Sequence, residues 1–229
     1  MLEVFQKIGK MMFQAGLVDA AGGSLSLLDG DNILITKKEA MLGDLGKDDL
    51  VKVGLEKGPD DEKAAFDLEA HRAVYKRGKV KAIVSAVPAE AIAISLTDNK
   101  IVPQDSRGLR LFKSASIVRV RDNSNFDEVV RLLPNFLGGE NSAAAVKGQG
   151  IYAAGSDLAE AFRVAAALAN SCKVLVAMRS SSSGRGGSGP SGGHSRGPGG
   201  GRGQRDKREF KSAIPPGIGV MGRDRYRKR

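Results

Sequence analysis

The chain has 229 residues and a formal net charge of +10, and this excess lies entirely in residues 179–229, which hold 13 Lys and Arg against 3 Asp and Glu. Residues 1–178 are balanced, with 23 basic against 23 acidic side chains, so the net charge says nothing about a folded body. The single cysteine, Cys172, excludes an intramolecular disulfide and is typical of a reducing compartment. No secretory leader and no apolar run near the ~20 residues of a membrane span is evident, so we expect a soluble cytoplasmic protein that does not contact a membrane.

The first quarter of the chain predicts one helix and two strands. Leu25 and Leu27 alternate with Ser24 and Ser26, which predicts a strand buried on one face only. Hydrophobic periodicity and turn chemistry predict a helix over 2–16, a strand over 24–27, a hairpin turn over 29–32 and its return strand over 33–36.

Residues 60–88 read as one helix and the strand that follows it. Asp60 and Asp61 provide an N-cap and negative charge in the first turn, and Gly78 is placed to close the helix in a left-handed cap. One face of this helix carries residues at spacings of three and four: Ala64, Leu68, His71, Val74 and Tyr75. Residues 80–87 are largely apolar, which predicts a strand buried on both faces and ended by Pro88.

The second half of the chain predicts an alternation of strands and helices. Pro134 is expected to end or kink one of these helices, and Ser156 to cap another. The predicted elements are a short helix over 90–96, strands over 101–103 and 116–120, an amphipathic helix over 125–137, paired strands over 143–146 and 151–154, a helix over 157–171, and a final strand or helix extension over 173–178.

Four stretches resemble the class II aldolase/adducin family. The sequence His71-Arg72-Ala73-Val74-Tyr75, with the basic loop, the AIV strand and the proline that follow it, is similar to the family's H-x-x-[IVY]-Y segment. The stretches GLVDAAGGSLSL, ILIT and GSDLAEAF are similar to further family text, and the resemblance covers residues 5–177 in register. It implies a further strand over 48–53 and a three-layer α/β/α sandwich with a mainly antiparallel central sheet over residues 1–178. It also implies a homo-oligomer, commonly a tetramer with active sites between subunits.

The resemblance also implies a metal site that this chain does not keep. In the family, three His hold a zinc ion that polarises the carbonyl of a sugar phosphate, and a Glu moves the proton. The resemblance places the three His at Ser85, Val87 and Gln149, and the Glu at Asp67. Val87 has no ligand atom, and Ser85 and Gln149 are poor zinc ligands beside imidazole. We therefore expect no metal cofactor.

The family's phosphate pocket is altered in the same way. Its Asn falls at Gly23, and its paired Ser fall at Ala65 and Phe66. Its T-P-x-G turn falls at residues 36–39, where Lys37 and Lys38 could attract an anion but Glu39 argues against a phosphate cradle.

Weak catalytic candidates remain, each beside a structural interpretation. Asp67 and His71 lie four residues apart on the predicted helix. The functional interpretation is a residual acid/base dyad, and the structural interpretation is a helix-surface pair or a buried histidine whose hydrogen bonds are satisfied. Gln149 lies between two glycines in what is most simply a tight turn. Ser85 lacks the Gly-x-Ser-x-Gly context of a nucleophile, and Cys172 reads as core packing. His194, the second of the two histidines in the chain, lies far from the others in sequence.

The C-terminal composition predicts a different kind of segment. Residues 179–213 are rich in Gly, Ser and Arg with almost no apolar side chains, so we expect a disordered linker. Residues 214–229 regain apolar residues and end in a basic cluster, which predicts a short linear motif. Arg-Gly pairs resemble RGG-type segments that bind RNA or another polyanion through phosphate contacts. The residues expected to do so are Arg185, Arg196, Arg202, Arg205, Arg208, Arg223, Arg225, Arg227, Lys228 and Arg229.

These observations favour a catalytically degenerate class II aldolase/adducin-like protein, an oligomeric scaffold whose basic tail binds RNA or another polyanion. Two alternatives stay open. One is an aldehyde-lyase, a sugar-phosphate aldolase or epimerase with an atypical metal site or none. The other is a structural subunit that docks a protein partner through residues Ile214–Met221.

Overall fold

The computed structural model describes residues 1–20, 22–121, 126–138 and 141–183. The predicted C-terminal motif, and the predicted linker from residue 184 onward, lie outside the described residues. So do all ten basic residues expected to bind a polyanion.

Eight strands and six helices make up the described part of the chain. The strands are β1 Ser24–Asp29, β2 Asn32–Thr36, β3 Leu50–Gly54, β4 Ala82–Ala86, β5 Lys100–Ile101, β6 Ala115–Val118, β7 Ala143–Val146 and β8 Gly150–Gly155. The helices are α1 Leu2–Gln14, α2 Leu68–Arg77, α3 Ala89–Thr97, α4 Ser106–Leu111, α5 Phe126–Leu132 and α6 Leu158–Ser183. Short 3₁₀ turns occupy Leu42–Asp44, Lys47–Asp49, Pro59–Lys63 and Leu133–Asn135.

One mixed sheet holds all of these strands in the order β3-β2-β1-β4-β8-β7-β6-β5. Within the described residues every neighbouring pair is antiparallel except β6 and β7, which confirms the predicted mainly antiparallel sheet. The core divides into two clusters. One includes buried residues of α1, α3 and α6, and the other includes those of α2 and α5. Helices therefore cover both faces, as the predicted α/β/α sandwich requires.

Strand β4 lies at the centre of this arrangement. All five of its residues are buried, as its apolar sequence predicts. Val84 packs in the cluster of α1, α3 and α6, whereas Ile83 packs in the opposite one. Pro88 ends the strand and is the N-cap residue of α3.

The predicted helix over 60–77 was wrong in its first half. Residues 59–63 form a 3₁₀ turn, and α2 begins only at Leu68. The chain between them pairs with β2 instead: Ala64 bridges Lys37, and the Ala65 amide donates to the Thr36 carbonyl at 2.9 Å. Tertiary hydrogen bonds thus override the local helical pattern that included Ala64.

Two predicted helix caps were also wrong. Gly78 is extended, with φ −107°, rather than left-handed, although its amide still donates to the Val74 carbonyl. At the start of α6, the Asp157 carboxylate rather than Ser156 accepts from the Glu160 amide, at 2.7 Å. Ser156 instead bonds the Glu160 carboxylate through both its amide and its hydroxyl.

Helix α6 is longer than predicted. It joins the predicted helix and its extension, and it continues five residues past the expected boundary at residue 178. Its length and composition alone would allow it to span a membrane, contrary to the expectation that no such run exists. Buried residues such as Ala161, Ala165 and Leu168 instead place one face in the core beside β4 and β8. Near its end, Arg179 pairs with Asp98 at 2.5 Å.

Candidate functional site

A row of three polar side chains crosses the middle of the sheet. The register pairs Ser24 of β1 with Ser85 of β4, and Ser85 with Tyr152 of β8. Directly opposed residues of antiparallel strands project from the same face, so these hydroxyl groups form one line. Ser24 and Ser26 are buried, which corrects the prediction that β1 is buried on one face only.

Helix α2 covers these serines with a histidine. His71 is fully buried; its Nδ1 lies 2.7 Å from the Ser26 hydroxyl, and its Nε2 lies 3.2 Å from the Ser24 hydroxyl. The Ser26 hydroxyl also bonds the Tyr75 hydroxyl at 2.6 Å. Both ring nitrogens therefore have partners inside the core, which supports the interpretation of His71 as a satisfied buried histidine.

Asp67 links this network to a cavity. It is the N-cap residue of α2, and the Ala65 bond to β2 fixes the loop that carries it. Its Oδ2 accepts from the Ser24 hydroxyl at 2.9 Å and lies 3.3 Å from His71 Nε2. Its Oδ1 is buried and has no hydrogen-bond partner among the described residues.

The surroundings of Asp67 keep it ionised. Burial opposes the charged form, but the charge of His71 and the hydrogen bonds of His71, Ser24 and Ser85 outweigh burial and lower the pKa of Asp67 to about 2. The Ser85 hydroxyl is thus close enough to influence the carboxylate, although Oδ1 has no hydrogen bond of good geometry among the described residues. Burial, and then the Asp67 charge, raise the pKa of Tyr152 well above its usual range.

The cavity has a volume of about 380 Å³ and brings together the positions that the resemblance singles out. Asp67, Ser85, Val87 and Gln149 all line it, and Lys38 lies on its wall. The remaining lining residues are Gly23, Ala65, Phe66, Ala86, Phe126, Gly150 and Tyr152. His71 is not among them, but it touches two residues that are: it lies beside Asp67, and its ring meets that of Tyr152 edge-on with the centroids 5.9 Å apart.

Two glycines allow the chain to close tightly around the end of β4. Gly23 has φ +86°, and a Cβ there would lie 2.6 Å from the Ser85 carbonyl oxygen. Gly150 has φ +150°, and a Cβ there would collide with the Ala86 carbonyl oxygen. Gln149 sits in the tight turn between β7 and β8, as predicted, with its amide donating to the Val146 carbonyl at 3.1 Å.

An aromatic pair forms part of the cavity mouth. Phe66 is 77% exposed, and its ring meets that of Phe126 edge-on with the centroids 5.0 Å apart. In the loop that the Ala65 bond fixes to β2, Asp67 is buried and its neighbour Phe66 is exposed to solvent. The third ring in the cavity wall is that of Tyr152.

The cavity does not offer the ligands that zinc prefers. Across residues 1–20, 22–121, 126–138 and 141–183 there is no group of three or more His, Cys, Asp or Glu that could hold a metal ion. Asp67 is the single acidic side chain among the lining residues, beside a hydroxyl, an isopropyl group and an amide at Ser85, Val87 and Gln149. A structural or catalytic zinc site in proteins takes at least three ligands from His, Cys and carboxylates. This donor set therefore does not fit zinc.

Comparison with known proteins identifies the family. Residues 3–176 match the class II aldolase and adducin N-terminal domain. The chain belongs to this family. The L-fuculose phosphate aldolase of Methanococcus maripaludis is 27% identical over 163 residues, which is 69% of this chain and 86% of that protein. The corresponding protein of Methanocaldococcus jannaschii is 22% identical over 173 residues, 75% of this chain and 93% of its own.

The fold is also similar to that of a solved aldolase structure. The L-fuculose-1-phosphate aldolase of Thermus thermophilus superposes with a TM-score of 0.72 at 27% identity, covering 82% of this chain and 97% of that one. The class II aldolase fold predicted from the sequence is therefore confirmed.

Reasoning from the sequence missed part of this site. Tyr152 and Phe126 carry no motif, and the burial of Ser24 and Ser26 depends on strand register and on the packing of α2. The one available signal is that both small residues of β1 that face α2 are serines, beside a helix that carries a histidine.

Proposed function

We propose that this chain keeps the class II aldolase fold and its pocket, but does not carry out zinc-dependent aldol cleavage. The observation that carries this proposal is the donor set of the cavity. One carboxylate, Asp67, is accompanied by Ser85, Val87 and Gln149 at the positions where the resemblance places three histidines.

Zinc chemistry in this family depends on the metal as a Lewis acid that stabilises charge on the substrate carbonyl. An isopropyl group donates no electron pair, and neutral hydroxyl and amide oxygens bind zinc far more weakly than imidazole. Asp67 alone could still accept or release a proton. Its low pKa makes it a weak base, so it is a poor substitute for the missing metal.

Restoring the histidines tests this proposal. The triple variant Ser85→His/Val87→His/Gln149→His should bind about one zinc per chain, whereas the wild-type chain should bind less than about 0.1 under the same conditions. Zinc uptake is measured by titration with a chromophoric chelator on the full chain, with circular dichroism as a check on folding. A folded triple variant that takes up no zinc would contradict the assignment of these positions.

Aldehyde-lyase activity with an atypical site is the second candidate. It is supported by the names of the relatives, L-fuculose phosphate aldolases at 27% and 22% identity. Cleavage of L-fuculose 1-phosphate by the wild-type chain, abolished by Asp67→Asn and reduced by Gln149→Ala, would establish it. Activity that is absent from the wild type but present in the triple histidine variant would support degeneracy.

A role for the basic tail rests on its charge, 13 Lys and Arg against 3 Asp and Glu in residues 179–229. We propose that an oligomeric domain displays several tails, which bind RNA or another polyanion with increased avidity. The full chain should bind single-stranded RNA with an affinity that falls steeply between 50 and 200 mM salt, and truncation after Ser183 should abolish binding. Equal RNA binding by the truncated chain would refute this role.

Docking of a protein partner through Ile214–Met221 remains the alternative for the tail. A synthetic peptide of residues 214–221 has no cationic side chain, so it separates the two possibilities. Saturable capture of one protein by this peptide, together with no RNA binding by the full chain, would favour docking.

A further inference from the structure

The cavity holds a buried negative charge whose second oxygen is unused. Asp67 is 7% exposed, and within the described residues its Oδ1 has no hydrogen-bond partner. Its other oxygen is already bonded by Ser24 and lies beside His71. A buried carboxylate oxygen without a partner is unfavourable, so a ligand that donates a hydrogen bond to it would be stabilised, and a cationic donor most strongly.

Aromatic rings surround the same cavity. Phe66, Phe126 and Tyr152 all line it, and the first two form an edge-on pair with centroids 5.0 Å apart. The faces of aromatic rings attract cations, and combinations of several rings recognise ammonium ligands. Phe66 is 77% exposed, so its apolar surface is available to an incoming ligand.

Among the residues that line the cavity, Lys38 is the single cation that could attract an anion. Lys38 lies on the wall, but its side chain is exposed, so solvent screens its charge far more than that of the buried carboxylate. The cavity volume of about 380 Å³ is at the lower end of the range for small-molecule pockets, which fits a ligand with one ring or a short alkyl chain.

We propose that this cavity binds an organic ammonium ion, an amine that carries an aromatic or other apolar group. The ammonium group pairs with the Asp67 carboxylate, and the apolar group packs against Phe66 and Phe126. This inference rests on the proposed function, because a zinc ion at the same place would occupy the carboxylate and favour an anionic substrate.

Four small probes of similar size separate the contributions. The full chain is titrated by isothermal calorimetry at pH 7 with 2-phenylethylamine, with its neutral counterpart 2-phenylethanol, with the anion 3-phenylpropanoate and with glycerol 3-phosphate. We expect 2-phenylethylamine to bind at least about tenfold more tightly than 2-phenylethanol, since a charge-assisted hydrogen bond is stronger than a neutral one. The two anions should show no heat of binding.

Variants then assign the contacts. Asp67→Asn should remove the preference for the amine over the alcohol. Phe66→Ala should weaken amine binding by about five- to thirtyfold through loss of the ring. Because Phe66 is so exposed, this variant should fold even if Asp67→Asn does not. Phe13→Ala is the matched control, since Phe13 is a 52% exposed phenylalanine that does not line the cavity, and it should bind like the wild type.

The outcomes distinguish this inference from the proposal on which it rests. A zinc-free chain that does not bind 2-phenylethylamine, or that binds an anion more tightly, overturns the ammonium site alone. A chain that holds zinc and cleaves a sugar phosphate overturns both. Equal amine binding by the wild type and Phe66→Ala would remove the aromatic part of the argument and with it the proposed pose.

Discussion

Replacing Gly23 with alanine tests how closely the chain packs where β1 meets the end of β4, directly beside the cavity. Gly23 has φ +86°, and a Cβ there would lie 2.6 Å from the Ser85 carbonyl oxygen and 2.7 Å from Val18 Cγ1. Gly30, in the turn between β1 and β2, provides a matched control. It also has a positive φ, +60°, but a Cβ there would meet nothing within 4 Å.

The two substitutions share one penalty and differ in a second. A left-handed conformation costs a non-glycine residue ~1–2 kcal/mol, and this applies at both positions. At Gly23 the added methyl group must also displace backbone, and overpacking of this kind costs a further ~1–3 kcal/mol. We therefore expect Gly30→Ala to lower the free energy of unfolding by ~1–2 kcal/mol and Gly23→Ala to lower it by ~2–5 kcal/mol.

Urea unfolding of the full chain, followed by far-ultraviolet circular dichroism, measures both values. The transition midpoint should fall in each variant while the slope of the free energy against urea stays unchanged, since the surface exposed on unfolding is the same. Equal losses of unfolding free energy in Gly23→Ala and Gly30→Ala would refute the close approach of Gly23 to Ser85, and with it the described geometry of this side of the cavity.

Three further predictions concern the buried polar groups. Ser26→Ala should lower the free energy of unfolding by ~1–3 kcal/mol, because it leaves His71 and Tyr75 without their buried partner. Tyr75→Phe should lower it by less, because Ser26 keeps its bond to His71. Chemical denaturation measures both values, and a larger loss in Tyr75→Phe would contradict this hydrogen-bond network. The pKa of Asp67 is about 2 in the folded state against an ordinary value of 3.8. The charged carboxylate therefore stabilises the fold by ~2 kcal/mol above about pH 4, and this stabilisation is lost as the pH falls toward 2. Asp67→Asn should therefore flatten the acid limb of a stability profile, and an unchanged acid limb would count against this pairing. Arg72→Met should lower the free energy of unfolding by ~3 kcal/mol, because Arg72 is a buried partner of Asp61. Lys63→Met removes the exposed pair of Lys63 with Asp60 and should change it by less than ~0.5 kcal/mol. Similar shifts of the melting temperature in the two variants would argue against burial of the Arg72–Asp61 pair.

Local patterns predicted the elements whose side chains need only their own neighbours. Strand β4 is buried on both faces because its sequence is largely apolar, and the DGDN turn over 29–32 joins β1 and β2 as its chemistry indicates. The helix break before Leu68 could not be predicted this way, because the Ala65 amide donates to the Thr36 carbonyl of β2 rather than along a helix.

Only the site residues that occupy positions of a family motif could be predicted from the sequence. The resemblance placed Asp67, Ser85 and Gln149 together, and they do line one cavity. It could not place Tyr152 opposite Ser85, because that depends on the register of β4 and β8. Nor could it show that the serines of β1 are buried, because an alternating strand sequence gives no sign of a polar helix face above it.

The metal content of the purified full chain tests the central claim most directly. The chain is expressed with added zinc, and bound metal is measured by elemental analysis before and after mild chelation. The donor set of Asp67, Ser85, Val87 and Gln149 predicts less than about 0.1 transition-metal ion per chain in both samples. About one ion per chain that survives chelation would contradict the account and would make this cavity a metal-dependent active site.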